Sequence, residues 1–570
     1  MEAKGQSLAS FIETIRRKAR AVRSPEELKG LRPLISEILF PEQSQIPLEA
    51  GLNQPLEQRE YLVDGTLRTW DGPVQTVFSP VWIADNGKPV PRVVGHAPLL
   101  TPEAALQALA AAKRAYANGR GVWPTMSVGE RIESVQRFTR EMRAKREEII
   151  RLLMWEVGKP LREAEREFDR AVACIAESIE ALKELDRASS RFIIQQGIIG
   201  QVRRAPLGVV LCMGPYNFPL YETFTTLIPA LLKGNTTIIK PPRFGILLFQ
   251  PLLEAFRDSF PPGVVNTVYG DGEAVVPPLM ASGDIDVLAF IGTSRVADSL
   301  RAMHPRPHRL RCVLGLDAKN PAVILPDADL DLAAAECLSG SLTFNGQRCT
   351  ALKIIFVHRL AAETFLEKFV KNISGLCCGM PWSDGVTITP LPEPEKPAYL
   401  TGLVNDALEK GARVVNPEGG RVAGSFFYPA LLYPVTPAMR IYIEEQFGPV
   451  VPVVPYDDIQ EVIDYVVSSD YGQQASIFGT APDLIATVMD ALVNQVCRIN
   501  INSQCQRSPD TFPFNGRKNS AEGTQSVIDA LRILSIRTVV AARETDTNRK
   551  LVNDIVKGRK SHFLSTDYLL

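Results

Sequence analysis

Apolar residues recur at every third or fourth position over three long stretches, Pro102 to Ala117, Val128 to Glu156 and Leu161 to Leu185. That spacing puts them on one helical face, so the stretches predict a layer of amphipathic helices. The text from about Glu60 to Val94 is strand-like and rich in turns, with Asp64-Gly65 as a hairpin signal. After the helical layer, short β-branched runs alternate with helix-length segments. The runs are Gly208 to Cys212, Thr236 to Lys240, Val264 to Val268, Val287 to Ile291, Cys312 to Leu316, Ala322 to Leu325 and Ile354 to Val357. Strands separated by helices signal parallel βαβ units, so the fold class expected is α/β with a doubly wound sheet.

Ligands of such sheets bind beyond the carboxyl ends of the strands. The residues there are Gly214-Pro215-Tyr216-Asn217-Phe218-Pro219 after the first run, Lys240-Pro241-Pro242-Arg243 after the second, Gly270-Asp271-Gly272 after the third and Gly292-Thr293-Ser294 after the fourth. A Gly-x-Gly-x-x-Gly dinucleotide loop is absent, and Gly292 to Ala297 is a weak echo of one. Further on, Asn345-Gly346-Gln347-Arg348-Cys349-Thr350 sets a thiol just past a helical run, beside a glycine turn and an arginine. A thiol reacts as thiolate, so a nearby cation and access for substrate make Cys349 a candidate nucleophile. Taken alone, it is also one of nine ordinary cysteines.

Composition narrows the classes. Lys plus Arg (63) nearly balances Asp plus Glu (64), so no global field argues for nucleic acid or an anionic membrane. The odd, scattered cysteines fit reduced thiols of a cytoplasmic protein better than a disulfide framework. The uncharged run from Ala205 to Tyr221 is broken by Pro206, Pro215 and Pro219 and is too short for a membrane helix. No metal signature is expected, since the prolines between His304 and His308 forbid the regular helix that their spacing would need. Leu8, Phe11, Ile12, Ile15, Ala19 and Val22 predict an N-terminal amphipathic helix lying on the main body, a reading favoured over a transit peptide or a basic membrane-surface helix because of Glu2 and Glu13.

From about residue 60 to 540 the chain resembles the aldehyde dehydrogenase superfamily. The motifs are Gly214 to Pro219, Asn345 to Thr350, Glu444-Glu445-Gln446-Phe447-Gly448-Pro449 and Phe512-Pro513-Phe514-Asn515-Gly516-Arg517-Lys518. Within it, Lys240 to Arg243, Gln347-Arg348-Cys349 and Gln506-Arg507 are most similar to the non-phosphorylating, NADP-dependent glyceraldehyde-3-phosphate dehydrogenases. The resemblance implies that Cys349 attacks an aldehyde carbon and that Asn217 stabilises the resulting oxyanion; a lost donor of that kind raises the barrier by roughly 3 kcal/mol. It implies a dinucleotide site around Tyr216, Lys240, Arg243, Gly270, Gly292, Thr293, Leu316, Glu445 and Phe447. Lys240 and Glu445 would hold ribose hydroxyls, and Phe447 would pack near the nicotinamide. NAD-preferring members carry a glutamate where this chain has Arg243, whose guanidinium suits a 2'-phosphate, so NADP is the expected cofactor. On the substrate side the resemblance points to Arg348, Arg507, Thr350 and, on a helix, Arg170. Three cations converging on one pocket call for an anion, which a phosphorylated aldehyde supplies. Arg170 also fits a solvated helix face with Arg162 and Arg166.

One departure touches the chemistry. The superfamily's general base is a glutamate in Leu-Glu-Leu-Gly-Gly-Lys, and here the segment reads Leu314-Gly315-Leu316-Asp317-Ala318-Lys319. Residues two apart in an extended segment share a face, so Asp317 is expected to replace the base that Gly315 lacks, or else to cap a turn or pair with Lys319. Without a base the acyl-enzyme would wait for coenzyme A or phosphate, which leaves an acylating dehydrogenase as a rival; a catalytically idle structural member is another. The expected divisions are an N-terminal extension (1–55), a dinucleotide-binding domain (56–185 and 206–311), a catalytic domain (312–526), an oligomerisation arm (186–205 and 527–545) and a tail (546–570). Such arms cover strand edges between subunits, so a homodimer or homotetramer is implied.

Overall fold

The structure, a computed structural model, describes residues 40–568 apart from 53 and 87. The helix expected over Leu8 to Val22 lies outside the described residues. Strands β1 (Glu60–Val63) and β2 (Thr66–Thr69) form the expected hairpin. Asp64 and Gly65 both take positive φ (56° and 72°), the geometry that lets a two-residue turn follow the strand twist. A longer hairpin, β3 (Val74–Asp85) and β4 (Lys88–Pro98), leads to four long helices: α1 (Pro102–Tyr116), α2 (Val128–Ala144), α3 (Arg146–Val157) and α4 (Leu161–Ala188). Ser127 and Glu130 close a reciprocal capping box at the start of α2. The stretch expected as one helix from Val128 to Glu156 is thus two, broken at Lys145 (φ −98°, ψ 9°). No glycine or proline marks the break. α2 packs on the helix Leu253–Ser259 and α3 on β3, so different partners set their directions. α4 buries Ala164, Phe168, Ala171, Ile175, Ile179 and Leu182 at helical spacing. Truncating Phe168 to alanine removes about 3–5 kcal/mol from that contact.

Two arm strands follow, β5 (Ile193–Gln195) and β6 (Ile198–Pro206). The first main sheet is built from β7 (Val209–Met213), β8 (Thr236–Ile239), β9 (Val265–Thr267), β10 (Val287–Ile291) and β11 (Arg311–Gly315), with α5 (Tyr221–Leu232) after β7 and α6 (Ser294–Met303) after β10. The second is built around β12 (Asn320–Ile324) and β13 (Leu352–His358), separated by α7 (Leu330–Leu342). It continues with β14 (Arg413–Val414), β15 (Ala430–Tyr433), β16 (Val450–Tyr456), β17 (Gln474–Phe478) and β18 (Arg498–Ile501). The chain ends with β19 (Ala521–Glu522), α8 (Val527–Ile533), β20 (Ser535–Arg543) and α9 (Asp546–Lys557).

The first sheet runs β9-β8-β7-β10-β11-β19, parallel except for β19. Strand order reverses between β7 and β10, the crevice where doubly wound sheets take ligands. β11 pairs with β10 in parallel register, Cys312 against Leu288. The boundary expected near Cys312 therefore moves, because β11 still belongs to the first sheet and the second begins at Asn320. The second sheet runs β14-β15-β16-β13-β12-β17-β18 and carries one apolar core on each face. The arm is a third sheet, β20-β6-β5, in which β20 pairs antiparallel with β6 from Ser535↔Pro206 to Arg543↔Ile198. It leaves Ile193, Ile194, Ile198, Ile536 and Val539 exposed. The tail packs back on the helical layer: Asp567 Oδ2 accepts from Gly129 N at 2.9 Å, and Arg203, ion-paired with Asp186, donates to Thr566 Oγ1 at 3.1 Å.

Candidate active site

Three successive residues before the thiol, Phe344, Asn345 and Gly346, have positive φ (50°, 57°, 69°). Such a run is costly for side-chain-bearing residues and persists only where the surroundings fix it. Asn345 supplies that fixing, since its Oδ1 accepts from Thr389 N at 2.9 Å. A Cβ on Gly346 would lie 2.5 Å from Ser341 O and 3.0 Å from Gly448 O, so only glycine fits the turn. The turn delivers Cys349, half-buried, just ahead of β13. Its carbonyl is held by Asn320 Nδ2 at 2.8 Å and Lys353 Nζ at 3.1 Å. Burial and the Glu222 carboxylate push the Cys349 thiol up, while Lys353 and Arg507 pull it down. The net direction is upward.

Asn217, on the loop after β7, donates from Nδ2 to Gln347 O at 2.7 Å. That bond ties the loop to the nucleophile turn, and an amide nitrogen carries a second hydrogen for an oxyanion. The loop is itself fixed by Lys159, whose buried ammonium pairs with Glu167 and donates to Asn217 O at 2.6 Å. Thr350 is buried beside the thiol.

On the first-sheet side, Lys240 is 7% exposed, and its ammonium donates to no protein acceptor among the described residues. Burial lowers its pKa to about 8, opposed only by Asp271. Arg243 has 71% side-chain exposure and no carboxylate nearer than Glu395 at 3.9 Å. Glu445 is clamped by Lys353 Nζ at 2.5 Å and by Ala318 N at 3.2 Å. Phe447 holds a positive φ of 41° and meets the Tyr216 ring edge-on at 6.0 Å. The Tyr216 hydroxyl donates to Glu393 at 2.6 Å. Gly292 admits no side chain, because a Cβ would meet the Phe290 ring at 2.3 Å; Thr293 caps α6, and Leu316 N bonds to Ser520 O. Gly270 closes β9 with φ 114°. An ammonium with no protein acceptor, a largely solvated guanidinium and an anchored carboxylate suit the phosphates and ribose hydroxyls of a dinucleotide. The start of α6 is different, since it already holds an anion of the chain. Ser294 N and Oγ each donate to Asp317 Oδ2 at 2.7 Å.

That contact corrects the expectation for Asp317. β11 stops at Gly315, so the two-residue alternation does not carry on to residue 317. The carboxylate caps a helix, where the dipole favours it. It makes no contact with Lys319, whose Nζ bonds to Glu444 O and Gln446 Oε1 instead.

The arginine expectation is also revised. Arg507 and Arg348 act on the thiol and Arg170 joins them only through Asp510, and the anions come from the chain. Arg170 pairs with Asp510 through Nε at 3.1 Å and Nη2 at 2.5 Å, so it is no solvated helix residue. Buried Arg507 pairs with Glu222, donates to Gln525 O at 3.0 Å and lies over the Phe514 ring. Arg348 donates to the carbonyls of Ser339 and Gly340 at the end of α7, leaving its buried Nε without a partner. Sequence reading missed Lys353, Glu222 and Asp510. Lys353 was findable, because a lysine inside the apolar run of β13 needs a buried partner.

Comparison with known proteins fits this arrangement. The chain is 33% identical over 442 residues to the NADP-dependent glyceraldehyde-3-phosphate dehydrogenase of Streptococcus equinus, covering 76% of this chain and 90% of that one. It is 29% identical over 423 residues to the 3-sulfolactaldehyde dehydrogenase of Priestia aryabhattai, covering 74% and 86%. The crystal structure of NADP-dependent glyceraldehyde-3-phosphate dehydrogenase from Bacillus halodurans C-125 complexed with NADP superposes with a TM-score of 0.76 at 30% identity, over 86% of this chain and 100% of that one. The sequence profile of the aldehyde dehydrogenase family matches residues 87–539, and the chain belongs to that family.

Proposed function

We propose that this protein oxidises a small phosphorylated aldehyde, with glyceraldehyde 3-phosphate as the best match, to the free acid, using NADP and incorporating no phosphate. The observation that carries the reading is the half-buried Cys349 thiol with Asn217 tied to its turn and Arg507 acting on it, a cation that Glu222 would share with a substrate anion. The relatives' names support the same substrate, and the sulfonate of the Priestia relative's named substrate fits an anion pocket too. Lys240, Glu445 and Arg243 would hold NADP, Arg243 taking the 2'-phosphate, with Phe447 and Tyr216 bordering the nicotinamide. When bound, the cofactor accepts the hydride. The chain's own part is to present Cys349 to the aldehyde carbon, to steady the oxygen with Asn217 and to keep the acyl group on sulfur until a nucleophile removes it. The exposed apolar arm supports a homodimer or homotetramer, and nine free cysteines support a reducing, cytoplasmic setting.

A second reading, an acylating dehydrogenase, is favoured by one observation: position 315 has no carboxylate, and Asp317 is engaged at α6. A substrate panel run with NADP and NAD, with and without phosphate and coenzyme A, decides between them. Free acid formed without either acceptor supports hydrolysis, and strict dependence on an acceptor supports the rival. Equal kcat/KM for glyceraldehyde 3-phosphate and glyceraldehyde would sink the phosphorylated substrate.

A further inference from the structure

We propose that Glu222 is the general base that hydrolyses the Cys349 acyl-enzyme. This rests on the reading of Cys349 as nucleophile and concerns the step that follows.

The argument begins at the missing side chain. A Cβ built on Gly315 would sit 3.2 Å from Gln525 Nε2 and 3.4 Å from Gln525 Oε1, so an amide stands where a carboxylate would arise. An amide cannot take up a proton. Gln525 is 4% exposed and its Nε2 has no partner, and a buried donor in that position is normally met by a water or ligand oxygen. The backbone oxygen of Gln525 accepts from Arg507 Nη2 at 3.0 Å, and Arg507 Nη1 pairs with Glu222. The vacant base position, a buried donor needing a polar guest, and a carboxylate are therefore joined in one cluster.

The neighbouring acids are committed elsewhere. Asp317 caps α6, and Glu445 is clamped by Lys353 and Ala318 N. Asp510 takes Arg170 and the Tyr221 hydroxyl. Glu167 takes Lys159 together with the N–H groups of Leu220 and Tyr221. Glu222 differs. Arg507 holds its Oε2, and its Oε1 accepts from no donor among the described residues. It lies in the first turn of α5, Glu222 N bonding to Phe218 O at 3.1 Å, on the segment that Asn217 ties to the nucleophile turn. Of the carboxylates acting on the Cys349 sulfur, it acts most strongly.

In the step, water oxygen bonds to the thioester carbon, its proton passes to Glu222, and the carbon–sulfur bond breaks to release the acid and the Cys349 thiolate. A general base contributes about 10²- to 10⁴-fold.

The test uses p-nitrophenyl acetate, which acylates a thiolate with loss of p-nitrophenolate and needs no dinucleotide. Glu222→Gln is expected to keep a burst of one nitrophenolate per site, to slow steady turnover by about a hundredfold or more, and to accumulate acetyl on Cys349 by intact mass. Hydroxylamine, a nucleophile that needs no base, restores turnover. Glu222→Asp keeps the charge beside Arg507 and guards against misfolding; it too should accumulate acetyl-enzyme. Wild-type turnover in Glu222→Gln overturns the proposal, as does loss of the burst in a folded variant. A wild-type protein never acetylated at Cys349 would instead remove the nucleophile.

Discussion

Two pairs of cations around the site are held in opposite ways. On the first-sheet side Arg243 is largely solvated and Lys240 has no protein acceptor, while on the other side Arg507 and Arg170 are packed against Glu222 and Asp510. An unpartnered cation at a crevice is a site awaiting an anion. A buried, paired one is also part of the fold, and a ligand anion must share it. The difference teaches that counting arginines near a nucleophile says little about substrate charge until their partners are counted as well.

The largest expected effect tests that contrast directly. Arg507→Met strands the Glu222 carboxylate and should destabilise the protein by about 3–5 kcal/mol, whereas Arg243→Ala should stay within about 0.5 kcal/mol. Urea midpoints check both, and equal shifts would erase the contrast. Asn217→Ala should raise the acylation barrier by about 3 kcal/mol, read as a fall in nitrophenolate burst rate. Arg243→Glu should move the NADP-over-NAD preference by about 1.5–3 kcal/mol, measured as the ratio of dissociation constants. An unchanged ratio would clear Arg243 of any 2'-phosphate role. Asp317→Asn keeps an acceptor for Ser294 but loses the favourable charge at the start of α6, about 0.5 kcal/mol, and acetyl-enzyme accumulating there as in Glu222→Gln would give the base role back to Asp317.

Away from the site, burial raises the Glu156 carboxyl from its ordinary 4.5 to about 8, against hydrogen bonds from Leu247 N and Leu248 N. The folded protein therefore holds a proton that the unfolded chain gives up between those values, so stability falls as pH rises through that window. Melting of Glu156→Gln across it should lack that component.

Much of the architecture could be read from patterning, because the strand runs and helical stripes are local signals. Val287 to Ile291 matches its strand end for end, and Pro102 to Ala117 its helix to within one residue. The nucleophile turn was legible for the same reason, since its parts lie side by side in the chain. Glu222 was not: its meaning depends on an arginine 285 residues away, and nothing near it in sequence announces the pairing. For Asp317 the base reading carried periodicity past the end of a strand, and the capping alternative is the contact found. The break at Lys145 was invisible because packing, with no helix-breaking residue, creates it.

The two-residue strand β19 pairs with β11 at Leu314↔Glu522 and Gly315↔Ala521 and closes one edge of the first sheet. On the ribosome every parallel strand of that sheet emerges well before its seal. The nascent chain thus carries an open sheet edge, able to template wrong pairings, until residues 521 and 522 have been made. The first sheet is complete only once residues 521 and 522 have been made, and a stop before residue 521 would leave that edge bare.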